Sequence, residues 1–203
     1  AENNRGRGYN IVFMGMGEPL DNLDAVETAI SGMTAETGLA MSSRRITIST
    51  SGHAEGLERL ITSGVSAGLT VSVNTCRPDL RRRLMPRPGR TSLPDILDLV
   101  EHYARDRRQR ATIAYVLIAG VNDDDSEATA LGRMVKGRPF KVNLIPLNRV
   151  DERQGPPTPE RILSFQSRLR EEGVEAYLRV SGGDDIAAAC GQLREKRGRR
   201  GKR

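Results

Sequence analysis

Two places in this 203-residue sequence carry side chains whose type and setting could do chemistry. The first is Gly15, Met16, Gly17, Glu18 and Pro19, directly after the apolar run Ile11, Val12, Phe13, Met14. Glycines past a strand end let the backbone approach a ligand closely and adopt dihedral angles closed to other residues. Pro19 biases Glu18 toward extended backbone, and a carboxylate held there could accept hydrogen bonds from an ammonium group. The third glycine of GxGxxG is missing, so this is no dinucleotide fingerprint; no GK[ST] follows, so it is no phosphate loop. The second place is Cys190, between the run of alanines 187–189 and Gly191. Small neighbours leave a thiol open to close approach, and the attacking form is the thiolate. Asp184 and Asp185, if near in space, would raise its pKa. A packed structural cysteine is the other reading of this residue.

The elements that must position such groups are legible as alternating patterns. Short runs rich in β-branched residues, NIVFM, RRITIST, GLTVSVN, ATIAYVLI, KVNLIPL and VEAYLRV, read as six strands. Between them lie segments of helical period at residues 22–34, 54–64, 92–106, 125–137 and 158–173. In the third, Leu93, Ile96, Leu97, Val100 and Tyr103 share one face. Thr158 with Pro159 predicts a capped helix start, and Gly173 its end. Strands alternating with helices predict an α/β fold with a mainly parallel sheet. Such strands are covered on both faces and should be near-continuously apolar. Ligands of this class sit at the strands' carboxyl ends. That places Glu18, the quartet Ser49, Thr50, Ser51, Gly52, then Ser72 to Asn74, Asn148, and Asp184 with Asp185 around one expected small-molecule pocket. Turn chemistry is the competing explanation at each position.

Composition narrows the function. The last thirteen residues, GQLREKRGRRGKR, hold seven Lys or Arg and one Glu, which accounts for the whole-chain net charge of +6. Such a tail attracts polyanions such as RNA or simply solubilises a terminus. Aromatic residues are 3% and Trp is absent, which argues against an RNA-binding sheet of stacking aromatics. No apolar run reaches membrane-spanning length, and two cysteines are too few for a disulfide framework, which points to the cytosol. His53 follows the STSG turn near the expected pocket but reads as a surface or capping residue. His102 reads as solvated, as do the basic clusters RDRRQR and LRRRLMP, with RNA-phosphate contact as the alternative for the clusters. Residues 153–159, RQGPPTP, read as a surface connection.

The segment FMGMGEPLDN resembles the second-strand motif of radical S-adenosylmethionine (SAM) enzymes. RRITISTSG, LRRRLMP, YVLIAGVND, KVNLIPLN and GDDIAAACGQL follow in that order. Together they resemble the adenine-C2 RNA methyltransferases of the RlmN and Cfr type, over residues 10–193. The resemblance implies a partial (β/α) radical-SAM, TIM-like barrel lacking its first strand. It implies SAM contacts at Gly17, Glu18, Ser49, Ser72, Val73, Asn74 and Asn148. It also implies that Cys190 carries the methyl group as S-methylcysteine. The implied activity is methylation of adenosine C2 in large-subunit (23S) ribosomal RNA and transfer RNA. The implied cofactors are SAM and a [4Fe–4S] cluster, served by a reductant. A radical route suits an electrophilic target carbon that does not accept a methyl cation; the radical chemistry belongs to the cofactor.

The sequence departs from the family in one large respect. A CxxxCxxC cluster loop is absent, since Cys76 and Cys190 are the only cysteines. The expectation is therefore a C-terminal piece of a longer enzyme, inactive by itself, with no metal ligands of its own. A catalytically dead SAM- or RNA-binding remnant and another radical SAM activity are the alternatives. Asn74 stands where the family has His, Cys76 where Pro is usual, and Gly182 where Arg is usual. The expected organisation is a lead-in at 1–9, a core at 10–193 and a basic tail at 194–203. A cytoplasmic monomer without membrane contact completes the expectation.

Overall fold

The structure is a computed structural model that describes residues 9–14, 17–87, 90–148 and 155–179. Its strands are β1 (Ile11–Phe13), β2 (Ile46–Thr50), β3 (Gly68–Ser72), β4 (Ala111–Leu117), β5 (Phe140–Pro146) and β6 (Ala176–Leu178). Its helices are α1 (Leu23–Thr34), α2 (Ala54–Thr62), α3 (Pro78–Leu84), α4 (Leu93–Asp106), α5 (Asp125–Val135) and α6 (Pro159–Glu171). The strands lie in sequence order across one sheet, and every adjacent pair is parallel. Strand order that never reverses leaves no switch point of the doubly wound kind. The sheet is a partial (β/α) barrel, whose working rim is formed by the loops after the strands. All six expected strands and all five expected helices are present.

Local chemistry sets the helix starts. Ser92, Asp124 and Thr158 each accept a hydrogen bond from the backbone N–H three residues on, at 3.3, 2.9 and 3.3 Å. Gly173, at φ +81°, lets the chain leave α6 in a left-handed conformation. The sequence reading missed α3, a helix of seven residues begun by Pro78. Arg82 and Arg83 on it are exposed, as a solvated face requires, but Arg81 is only 2% exposed. The reading of LRRRLMP as a solvated face therefore fails at Arg81, which is turned into the protein.

The expectation of strands apolar on both faces also needs correction. In β2 the odd–even alternation buries Ile46, Ile48 and Thr50 and leaves Thr47 and Ser49 half-buried. In β3 it buries Leu69 and Val71 and leaves Gly68, Thr70 and Ser72 half-buried. The register aligns Ser49 with Thr70 and Ile48 with Leu69, so apolar and polar rows run across the strands. The apolar row joins Leu57, Leu60, Ile96 and Val100 of α2 and α4 in the core. The other, polar row belongs to an open concave face. Only β4 is buried along almost its whole length. Among the described residues no helix is long and apolar enough to cross a membrane.

Candidate active site

At the carboxyl ends of β1, β2 and β3 lies a cavity of about 650 Å³, lined by Gly17, Glu18, Ser49, Ser51, His53 and Ser72 among others. Leu84, Met85, Pro86 and Arg87, where α3 ends, complete its wall. Gly17 sits at φ +119° with nothing within 4 Å of the position a Cβ would take. Its requirement is thus the backbone conformation, not room. Glu18 follows in extended backbone at φ −105° and ψ 116°, as its position before Pro19 demands.

The Glu18 carboxylate is held by its own protein. Oε2 accepts hydrogen bonds from the Ser51 backbone N–H at 2.8 Å and the Ser51 hydroxyl at 2.7 Å. Oε1 accepts from the Leu20 N–H at 3.2 Å. A carboxylate has about four acceptor positions, so one is left for a ligand. Glu18 thereby ties the loop after β1 to the loop after β2 and keeps a defined orientation at the mouth.

Four of the residues assigned by resemblance meet in this cavity: Gly17, Glu18, Ser49 and Ser72. Three others do not line it. Val73 is wholly buried; its N–H donates to the Ala114 carbonyl at 2.9 Å and its carbonyl accepts from Arg81 at 2.7 Å. Asn74, at φ +61°, spends its side chain locally: Oδ1 accepts from the Val116 N–H at 3.1 Å, and Nδ2 reaches Met85 Sδ at 3.5 Å. Asn148 lies just beyond β5, outside the cavity lining. Cys190, Asp184, Asp185 and the basic tail lie outside the described residues.

The sequence puts His53 near the pocket while favouring a surface or capping role, and the structure places it in the cavity lining. It occupies the cap position of α2 but its side chain makes no cap hydrogen bond. Nδ1 lies 3.4 Å from Asp21 Oδ1 without a hydrogen bond, although it is buried.

A second polar cluster, beneath the ends of β3 and β4, went unread. Glu127 of α5 is 1% exposed. It accepts from the Thr75 hydroxyl at 2.8 Å and the Cys76 N–H at 2.9 Å, pairs with Arg77 Nε at 2.7 Å, and shares the Tyr115 hydroxyl, at 3.0 Å, with the Asn122 carbonyl at 2.8 Å. Beside it, buried Asn122 accepts from the Ile118 N–H at 2.7 Å and donates to the carbonyls of Asn74 at 2.6 Å and Val116 at 2.7 Å. Burial, reinforced by Glu127, pushes the Cys76 thiol from 9.0 up to about 12. It is therefore protonated at neutral pH. Burial, with Glu127 next, raises Tyr115 as well.

A model of the radical SAM superfamily matches residues 1–131 of this sequence. The chain belongs to that superfamily. Curated relatives include proteins named dual-specificity RNA methyltransferase RlmN. The one from Sorangium cellulosum is 40% identical over 91% of this chain and 48% of its own length. The one from Oleidesulfovibrio alaskensis is 44% identical over 91% of this chain and 52% of its own length. The solved structure titled a radical SAM methyltransferase from Sphaerobacter thermophilus superimposes with a TM-score of 0.86 at 41% identity. It is matched over 92% of this chain and 55% of that one. A domain of a pyruvate-formate lyase-activating enzyme from Bacteroides vulgatus, at 16% identity and TM-score 0.66, shares the fold. This radical SAM chain thus spans about half the length of the curated relatives it matches.

The donor set can be compared with what radical SAM chemistry requires. The cavity has the volume of a small-molecule site, with a carboxylate, two strand-end hydroxyls and a left-handed glycine at one rim. That set fits the methionine end of SAM. It does not fit an iron–sulfur cluster, which needs a set of thiolates: the sequence holds two cysteines, and no metal-holding group of three His, Cys, Asp or Glu occurs among the described residues.

Proposed function

We propose that this chain is the SAM-binding part of a radical SAM RNA methyltransferase that methylates C2 of adenosine in 23S ribosomal RNA and transfer RNA. The observation that carries the reading is the meeting of Gly17, Glu18, Ser49 and Ser72, from three strand ends, in one cavity. Glu18 offers its remaining acceptor position to the ammonium of SAM, and its three protein hydrogen bonds keep that position fixed. Ser49 and Ser72 offer hydroxyls from the concave face, and Gly17 brings backbone close to the ligand. Bound SAM supplies the methyl group and the radical precursor. Val73 supports the wall through its backbone bonds and Asn74 through its side-chain bonds to the Val116 N–H and Met85 Sδ. Cys190 is the proposed methyl carrier, and cluster thiolates are proposed to come from outside this sequence. RNA is the proposed partner, with the basic tail contributing electrostatic attraction, in a cytoplasmic setting and with a reductant serving the cluster.

The test has two arms. Calorimetry with S-adenosylhomocysteine, which lacks the transferable methyl, should detect binding that Glu18→Ala weakens; unaltered affinity removes the cavity from the proposal. In a longer protein carrying the cluster, mass spectrometry should find S-methylation at Cys190 and 2-methyladenosine in the RNA. Undiminished product from Cys190→Ala rejects the carrier role.

A further inference from the structure

Arg81 is a cation placed where its charge is unfavourable. It is 2% exposed, and among the described residues it has no ion-pair partner. Nη1 donates to the Val73 carbonyl at 2.7 Å and touches Met85 Sδ at 3.5 Å. Nε and Nη2 are buried without a hydrogen-bond partner. Burial accordingly lowers its pKa from the ordinary guanidinium value. A buried charge left without a counter-charge destabilises a fold, and replacing it by an apolar side chain of similar volume is often neutral or stabilising. Packing therefore gives no reason for an arginine here.

Its contacts give one. The Val73 carbonyl belongs to the segment immediately after Ser72, at the end of β3. Nη2 lies 3.4 Å from where a Cβ of Gly52 would stand, in the turn after β2, one residue from the Ser51 that holds Glu18. Met85, the third neighbour, is a wall residue of the cavity and is also contacted by Asn74 Nδ2. One guanidinium thus hydrogen-bonds the end of β3 and packs against the turn after β2 and against Met85 at the end of α3. Gly52 sits at φ +94°, a backbone conformation that favours glycine; a Cβ there would be in ordinary contact with Nη2 and tighter against Ile96 Cγ2, at 3.2 Å.

We propose that Arg81 is a positioning residue that locks the loops after β2 and β3 and the end of α3 into one cavity wall, at a cost to stability. Its relevance to ligand binding rests on the SAM reading above; the locking of the wall does not. It acts through Val73 and Gly52, without touching the ligand. The planar fork matters, because a lysine in the same place supplies one point of contact with flexible geometry.

The experiment compares Arg81→Met and Arg81→Lys with the unaltered chain. Hydrogen exchange by mass spectrometry is read in peptides covering residues 49–54 and 72–76, along with thermal unfolding and S-adenosylhomocysteine binding. Arg81→Met should leave the unfolding midpoint unchanged or raised, speed exchange in both peptides together, and weaken binding roughly tenfold, the scale on which supporting partners act at other sites. Arg81→Lys should recover protection in the β3 peptide more than in the β2 peptide. Unchanged exchange in both peptides of Arg81→Met overturns the proposal. So does a midpoint that falls with exchange rising across the whole chain, since that marks an ordinary core residue. Should Arg81→Met be unfolded, the proposal is overturned on the same ground. If the unaltered chain fails to bind S-adenosylhomocysteine while the two peptides loosen as expected, the SAM reading falls and the locking role stands.

Discussion

Glu18 and Glu127 are both carboxylates at the rim of the same sheet, and their surroundings are opposite. Glu127 receives four donors from Thr75, Cys76, Tyr115 and Arg77 and is closed to solvent. Glu18 receives three, from Leu20 and twice from Ser51, and borders a cavity. A carboxylate with every acceptor position filled pins its neighbours together. One with a position left over, in a defined orientation, can do that and also take a ligand. The difference between a closed carboxylate and one open to a ligand is therefore one vacancy and access to it.

Several changes would break or sharpen this contrast. The largest effect on stability is expected at the closed cluster. Glu127→Ala strands the donors of Thr75 and Cys76, while Tyr115 keeps the Asn122 carbonyl and half-exposed Arg77 keeps Asp124. It should cost about 1–3 kcal/mol for each buried donor left unsatisfied. Urea denaturation followed by circular dichroism measures it, and a loss no greater than that from Glu18→Ala would erase the contrast. At the open cluster the expected effect is on binding. Glu18→Ala should weaken S-adenosylhomocysteine binding by about 1.5–3 kcal/mol, the value of a charged hydrogen bond, while the unfolding midpoint moves less than in Glu127→Ala.

The closed cluster should also declare itself through pH. Cys76 and Tyr115 are both raised in the folded state, Cys76 from 9.0 to about 12. Above about pH 9 the unfolded chain releases the Cys76 proton while the folded chain keeps it. The contribution to stability is complete below that pH and declines as pH rises toward 12. Denaturation series from pH 7 to 11 should show falling stability on the alkaline side, with a shallower fall in Cys76→Ala. A stability that rises over this interval would contradict the burial of the thiol. The smallest effect is expected at the exposed latch beside the open cluster, where Arg87 pairs with Asp21 at 2.8 Å and is 74% exposed along its side chain. Arg87→Ala should change stability by no more than about 0.5 kcal/mol, as thermal unfolding would register.

The uneven legibility of this protein follows the range of the interactions involved. Strand and helix segments were readable because hydrophobic period, caps such as Thr158 and stops such as Gly173 act within a few residues. The exception, α3, is seven residues long and dense in arginine, so its period carried little signal. Of the site, strand-end position together with ordered motif resemblance picked out Gly17, Glu18, Ser49 and Ser72, which line the cavity. The same reasoning also nominated Val73, Asn74 and Asn148, which do not line it. A strand-end address states that a residue is near the rim and not which way its side chain turns. Asn74 turns toward Val116 and Met85, partners 42 and 11 positions away.

The sequence by itself determined an α/β alternation, a cluster of polar residues at the strand ends and a family resemblance concentrated in the loops after the strands. Tertiary structure alone decided that the second strand face is open and polar, that Arg81 is buried among its solvated neighbours, and that Glu127 rather than a residue of the rim motifs closes the β3–β4 junction. The physical reason is the distance along the chain over which each is settled. Helices, caps and turns are fixed by neighbours a few positions apart. The Glu127 carboxylate meets Thr75 and Cys76 across 52 and 51 positions, contacts that exist only after the chain has folded.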